Sequence, residues 1–196
     1  MKKLIALIAL AFMATFTTNA QTVELKAGYS YTNVILSPYS GFIDGKSGFT
    51  AGLVVKDLML SDNIGFQPEL LYSQKGASVA GFNISFDYFS LPLLLKFPMA
   101  ESGVSILAGP EVSYLANTRF GGLFSYNGLF NKVDVGLAGG LEYQLAESIA
   151  IGGRYTYGLS NVNKDFDFGM ANLNSIIQTR NTAAQVYLTF GFGSNK

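Results

Sequence analysis

The chain contains no cysteine and no histidine, and these two absences remove several classes of function. Without cysteine there is no disulfide framework, thiol nucleophile, lipoprotein anchor or cysteine metal site. Without histidine a Ser-His-Asp triad and the usual zinc centres are excluded. The sequence therefore predicts no cofactor, no metal and none of the enzymes that depend on these residues.

Charge and long apolar runs are also scarce. Charged residues are 13% of the chain, against roughly 25% in an average soluble domain. Basic and acidic residues balance at 13 each, and no basic face suited to nucleic acid is present. Hydrophobic residues reach 49%, yet no run after the amino terminus approaches the ~20 apolar residues of a spanning helix. This composition, rich in Gly, Tyr and Phe, is typical of a membrane β-barrel.

The amino terminus has the three parts of a secretory signal peptide. Met1-Lys2-Lys3 is positive, Leu4 to Phe16 is apolar, and Thr18-Asn19-Ala20 resembles a cleavage site. We therefore predict a signal peptide at residues 1–20, followed by an exported barrel domain at residues 21–196.

The clearest pattern in the chain is a strict alternation from Lys132 to Ser160, with a tight connection at Ala146-Glu147. Apolar side chains occupy one parity, while small residues and a few charges occupy the other. A period of two over this length predicts two long β-strands joined as a hairpin.

Six further stretches alternate in the same way, which predicts an all-β fold: an eight-stranded antiparallel up-and-down transmembrane β-barrel. Connections are short after the second, fourth and sixth strands, so these turns and both termini are expected at the periplasmic end. Two irregularities are expected. The parity slips in the fourth strand, which predicts a β-bulge near Tyr88-Phe89. Pro68, Pro92 and Pro110 predict further bulges or shorter strands.

Almost all of the strand charges share the parity of the small residues, which we assign to the lumen, the interior of the barrel. A Lys or Arg facing lipid at mid-membrane would cost roughly 2–4 kcal/mol, so these groups should point inward and pair. We predict a structural charge network made of Glu24, Lys26, Lys56, Glu69, Lys75, Glu111, Asp134, Glu142 and Arg154. A proton or ion path, or a pair of acid–base carboxylates, is the functional alternative. A soluble lipocalin-like barrel, with the two faces exchanged, is the structural alternative.

Aromatic residues of the strands fall into two bands, as expected for girdles where the membrane meets water. The external band is Tyr31, Phe49, Tyr72, Phe86, Tyr114 and Tyr157. The periplasmic band is Phe66, Phe97, Tyr143, Phe190 and Phe192.

Six strand motifs follow one another in an order that resembles the PorT-like outer-membrane β-barrel family of Bacteroidetes. They are QPELLYSQKG from Gln67, DYFSLPLLLKF from Asp87, AGPEVSYLA from Ala108, KVDVGLAGGLEY from Lys132, RYTYGLSNV from Arg154 and TRN…VYLTFGF from Thr179. The resemblance implies an outer-membrane barrel without known activity. It also raises the alternative of an accessory role in a secretion or gliding apparatus.

Together these patterns predict a small barrel of the bacterial outer membrane with a plugged polar lumen, a structural or interaction role and no catalysis. The lipase, omptin-protease and palmitoyl-transferase barrels rely on a histidine that this chain lacks. Its partners are expected to be outer-membrane lipid and, through the external loops, another protein, with the barrel itself a monomer. A narrow channel or a ligand-binding barrel remains the third alternative.

Overall fold

The computed structural model describes residues 22–37, 43–56, 58–79, 82–99, 102–120, 124–125, 130–161 and 178–191. The predicted signal peptide and the predicted girdle residue Phe192 lie outside these ranges. Among the described residues, no helix is long and apolar enough to cross a bilayer.

Ten β-strands make up the described structure. They are β1 (Thr22–Ser37), β2 (Ile43–Lys56), β3 (Leu58–Ser61), β4 (Ile64–Val79), β5 (Phe82–Pro98), β6 (Val104–Phe120), β7 (Phe124–Ser125), β8 (Val133–Ala146), β9 (Ile149–Gly158) and β10 (Gln178–Gly191).

Eight of these strands close into an antiparallel barrel. The order around the ring is β1, β2, β4, β5, β6, β8, β9 and β10, and β10 pairs with β1 to complete it. Every neighbouring pair is antiparallel, as in Glu24 with Gly191 at the closing seam. The prediction of an all-β, eight-stranded up-and-down barrel is therefore confirmed.

Two short strands were not predicted. β3 pairs with β4 beyond the end of β2, so the turn of this hairpin falls at Asp62-Asn63. β7 pairs antiparallel with the last two residues of β6, at the long-loop end of the barrel.

The prediction of a bulge in the fourth barrel strand is wrong, because the irregularity lies on the neighbouring strand. β4 and β5 keep one register throughout their pairing. The register instead changes between β5 and β6, where Asp87 faces Asn117 but Tyr88 faces Leu115, which leaves Ala116 as the extra residue. The parity of β5 is therefore unbroken, and the bulge lies on its partner.

The prolines do not shift the register of the sheet. Pairing between β4 and β5 pauses after Pro68–Leu93 and resumes at Leu71–Ser90 in the same register. Pro110 sits opposite Leu137 within a continuous ladder between β6 and β8. A missing proline donor interrupts the pairing locally, without bulges or shortened strands at these positions.

The two faces of the wall differ in burial. Along β9, Gly152, Arg154 and Thr156 are buried, whereas Gly153 and Tyr155 between them are exposed. Because the period of a strand is two, one parity fills the barrel interior and the other covers its outside. The core of the protein is thus the lumen itself.

The barrel interior as the candidate functional site

All nine charged residues predicted for the lumen are buried, none more than 5% exposed. Lys96, which is partly buried, joins them through an ion pair. With Lys96, the described part of the interior holds five cations (Lys26, Lys56, Lys75, Lys96 and Arg154) and five anions (Glu24, Glu69, Glu111, Asp134 and Glu142). The lumen is therefore neutral in formal charge, as burial at this depth requires.

A carboxylate held by two cations lies at mid-height. Arg154 Nη2 donates to Glu69 Oε1 and Oε2 at 2.8 and 2.7 Å. Lys26 Nζ donates to the same two oxygens at 3.1 and 3.0 Å. β4 and β9 stand four places apart in the ring of eight, so the Glu69–Arg154 pair spans the diameter of the barrel.

A second ionic layer lies nearer the short-turn end. Lys56 Nζ is 2.8 Å from Glu24 Oε2 and 3.1 Å from Glu142 Oε1. Lys96 reaches the same Glu142 oxygen at 3.1 Å. β2 and β8 are also opposite strands, so the Lys56–Glu142 pair makes a second crossing of the lumen.

The third layer lies toward the long-loop end. Lys75 pairs with Glu111 at 3.0 Å. Asn181 Nδ2 donates to Asp134 Oδ2 at 2.9 Å and to the Tyr88 hydroxyl at 3.3 Å. β5 and β10 are opposite strands, so the Tyr88–Asn181 contact is a third crossing.

Tyr187 lies at the centre of the ionic layers, a position that was not predicted. Its ring is 3.3 Å from Lys26 Nζ and 5.4 Å from the Arg154 guanidinium carbon, distances typical of cation–π contacts. Its hydroxyl donates to Glu142 Oε2 at 3.5 Å. The ring covers Gly152 on the neighbouring strand, where a side chain would collide with it. Its parity, shared with Gln185 and Thr189, was the signal that could have placed it inside.

The long-loop end of the lumen is closed by apolar side chains. Phe86, Tyr88 and Leu115 form a buried cluster, against which Ile84 and Phe130 pack. The Phe86 and Phe130 rings meet edge to face with centroids 4.9 Å apart. Assigning Phe86 to the external girdle was therefore wrong, because β5 has no bulge and its parity carries Phe86 inward.

The other described residues of the predicted girdles lie on the outside of the barrel. Tyr31, Phe49, Phe97, Tyr143 and Phe190 are exposed; Phe66, Tyr72, Tyr114 and Tyr157 are partly exposed. Tyr29, Phe89 and Tyr155, which the sequence analysis left out of the bands, are exposed as well.

Little free space remains inside. A cavity of about 10 Å³ lies among Lys75, Glu111, Asp134 and Asn181, close to the least volume that holds one water molecule. A larger pocket of about 340 Å³ opens at the short-turn end, between Gln67, Lys96 and the apolar side chains of β3. Within the described ranges, no cluster of three or more Asp, Glu, His or Cys residues could hold a metal ion.

Comparisons with known proteins agree with this architecture. The family model described as "Outer membrane protein beta-barrel domain" matches residues 19–164. No curated protein sequence matches the chain significantly.

Solved structures share the fold at low sequence identity. Neisserial surface protein A (NspA) is 11% identical with a TM-score of 0.61, over 89% of this chain and 100% of that one. Ail, the attachment invasion locus protein of Yersinia pestis, was solved with the heparin analogue sucrose octasulfate; it is 14% identical with a TM-score of 0.52, over 89% of this chain and 100% of that one.

Proposed function

Because this chain belongs to the outer membrane protein beta-barrel domain family, and so resides in the bacterial outer membrane, we propose that it is a non-catalytic barrel with a plugged lumen. Its role in this proposal is structural or interactive: the wall anchors the protein in lipid, and the external loops are available to a partner. The barrel itself works as a monomer, preceded by a cleaved signal peptide at residues 1–20.

The observation that carries the proposal is the set of three crossings of the lumen. Lys56–Glu142, Glu69–Arg154 and Tyr88–Asn181 each join strands on opposite sides of the ring. The interior of an eight-stranded barrel is just wide enough for side chains to fill. A pair that spans the diameter therefore occupies the space through which a solute would pass.

The same contacts support the absence of catalysis. Glu69 is held by two buried cations, and Glu111 is paired with Lys75 and accepts from Thr156 Oγ1 at 3.3 Å. A carboxylate whose oxygens are engaged by buried partners in this way is not free to contact a substrate, so it is poorly placed for acid–base work.

Single-channel recording in planar lipid bilayers tests the plugged lumen. We expect the refolded protein to show no steady conductance, while a known porin reconstituted in parallel does. A heat-dependent gel mobility shift on the same sample establishes that the barrel is folded. Steady conductance by the folded protein would contradict the proposal and favour a narrow channel.

The order of the strand motifs favours a second candidate, an accessory component of a secretion or gliding apparatus of the PorT-like kind. Deletion of the gene in its native host should then reduce protein secretion, and the barrel should co-purify with components of the apparatus. Normal secretion after deletion would remove this candidate without affecting the plugged-lumen proposal.

A further inference from the structure

A polar cluster lies on the outer face of the wall, at the external ends of β2, β4, β5 and β6. Arg119 Nη2 donates to Asp87 Oδ1 at 2.7 Å, and Gln74 Nε2 approaches the same oxygen at 3.5 Å. The Tyr72 hydroxyl interacts with both Asp87 and Arg119. Lys46 Nζ donates to the Ser85 hydroxyl and lies within the electrostatic reach of Arg119 and Asp87.

The parity of β5 and β6 places Asp87 and Arg119 outside the lumen, and Lys46 joins them through the contact of its Nζ with Ser85, which has the parity of Asp87. Phe86 and Thr118, the inward neighbours of these groups on β5 and β6, are almost fully buried, whereas the Arg119 side chain is 41% exposed. Arg119 is the cross-strand partner of Ser85, and Asp87 is the partner of Asn117. The bulge at Ala116 on β6 reverses the parity above it, which turns Arg119 outward and Thr118 inward.

The cluster sits directly above an aromatic patch that faces lipid. The Tyr72 ring is 5.6 Å from that of Phe49 and 6.0 Å from that of Phe89. Tyr and Phe at this position mark the boundary between hydrocarbon and headgroups. Because Arg and Lys are tolerated on the lipid face only near that boundary, Arg119 and Lys46 lie at the level of the outer-leaflet headgroups.

The exterior charges of the two ends differ in sign. Among the described side chains outside the lumen, the external end carries the cations Lys46, Arg119, Lys132 and Arg180 against the single anion Asp87. The described residues of the periplasmic turns include the anions Asp62 and Glu147 and no cation. Among the described side chains, the external end of the wall is therefore the one suited to contact an anionic headgroup layer.

The guanidinium of Arg119 has further N–H groups that can donate hydrogen bonds to such a headgroup. Its Nη2 is occupied by Asp87, and because 41% of the side chain is exposed, the outer edge of the guanidinium remains accessible. Guanidinium groups bind phosphate oxygens through paired N–H donors, and an ammonium adds a point charge. Asp87 holds the guanidinium in place and leaves the cluster with one net positive charge when Lys46 is counted.

We propose that Arg119 and Lys46 form a binding site for the phosphate group of a phosphorylated lipid headgroup in the outer leaflet. The aromatic patch of Phe49, Tyr72 and Phe89 packs against the lipid chains below it. The site fixes the height of the barrel in the bilayer and selects its neighbouring lipids.

Native mass spectrometry of the detergent-purified protein tests this assignment, with lipid A carrying two phosphate groups as the probe. We expect the double variant Lys46→Gln/Arg119→Gln to bind the probe roughly tenfold more weakly, since each charge-assisted contact is lost. Lys132→Gln, which removes an exposed external cation outside the cluster, is the matched control and should bind as the wild type does.

Two comparisons identify the source of the phosphate. Dephosphorylated lipid A should bind as weakly to the wild type as the intact probe binds to the double variant. Inorganic phosphate at the same concentration should not displace the probe. Equal binding of the two lipids, an unchanged double variant, or full displacement by inorganic phosphate would each overturn the proposal, provided that the heat-dependent gel shift shows folded barrels.

Discussion

The middle and the external end of the lumen are both closed, but by different chemistry. At mid-height Glu69 forms ion pairs with both Lys26 and Arg154, so each contact joins full charges of opposite sign. At the external end Phe86, Leu115 and Phe130 close the barrel by packing, with the Tyr88 hydroxyl as the polar contact. The first closure depends on which residues are paired, and the second mainly on how much volume is filled.

The difference has an energetic consequence. A buried charge that loses its partner cannot be accommodated by small movements of its neighbours, because the missing electrostatic interaction is specific. An apolar cluster can be repacked with side chains of similar volume at modest cost. The ionic layers should therefore be far less tolerant of substitution than the apolar closure.

The largest effect is expected for Glu69→Gln. The side chain keeps its size, but Lys26 and Arg154 lose their shared counter-charge, and Arg154 Nε and Nη1 have no other acceptor among the described residues. We expect the free energy of unfolding to fall by about 3–5 kcal/mol. Urea titration in lipid vesicles, followed by circular dichroism because the chain has no tryptophan, measures the change.

Glu147→Gln is the matched control for that variant, since it removes the same charge from an exposed periplasmic turn. Its unfolding curve should coincide with that of the wild type. A loss below about 1 kcal/mol for Glu69→Gln, the size of an exposed ion pair, would show that the central triad is not a tightly coupled ionic layer.

An intermediate effect is expected where packing and charge meet, at Gly152→Ala. A Cβ at Gly152 would come within 2.3 Å of the Tyr187 ring, which itself lies over Lys26. We expect a loss of about 1–3 kcal/mol from overpacking. The adjacent Gly153 faces outward, with the nearest atom 3.9 Å from such a Cβ, so Gly153→Ala should cost nothing measurable in the same titration.

A double variant tests whether the collision with Tyr187 causes the loss of stability in Gly152→Ala. Combining Gly152→Ala with Tyr187→Leu should be less harmful than the sum of the two single changes, because the colliding ring is removed. Strict additivity would mean that contact with Tyr187 is not what excludes a side chain at Gly152.

The smallest effect is expected for Phe86→Leu at the external end. Leucine keeps most of the apolar volume, so the loss should be about 1 kcal/mol. Phe89→Leu, on the lipid-facing side of the same strand, is the control and should be close to neutral. If Phe86→Leu destabilised the barrel as much as Glu69→Gln does, the contrast between the two closures would be wrong.

Alternation alone predicted much of this molecule. It predicted the eight strands and the inward face of the nine charged residues assigned to the lumen, because a charge facing lipid at mid-membrane is so unfavourable. It misplaced Phe86, because an aromatic ring is acceptable on either face and the parity slip in β5 suggested a bulge. The extra residue was Ala116 on the facing strand, a position that nothing in its own strand distinguishes.

The sequence alone could not predict which residues contact one another within the lumen. Whether Lys56 meets Glu24, Glu142 or Glu69 depends on the stagger of the strands around the ring, which no single strand encodes. The central position of Tyr187 has the same origin, since it follows from the side chains that the closed barrel brings around it. β3 was missed because four residues are too few to show a period.

The Glu69–Arg154 pair joins residues that are 85 positions apart in the chain. Lys26 and Glu69 lie on β1 and β4, but the guanidinium that completes their triad lies on β9, the penultimate barrel strand, so the triad is complete only when nearly all of the ring is in place. Lys56 on β2 likewise pairs with Glu142 on β8, on the opposite side of the ring. An incomplete barrel would thus carry uncompensated charge toward lipid, which disfavours partial insertion and makes entry into the membrane an event of the whole chain.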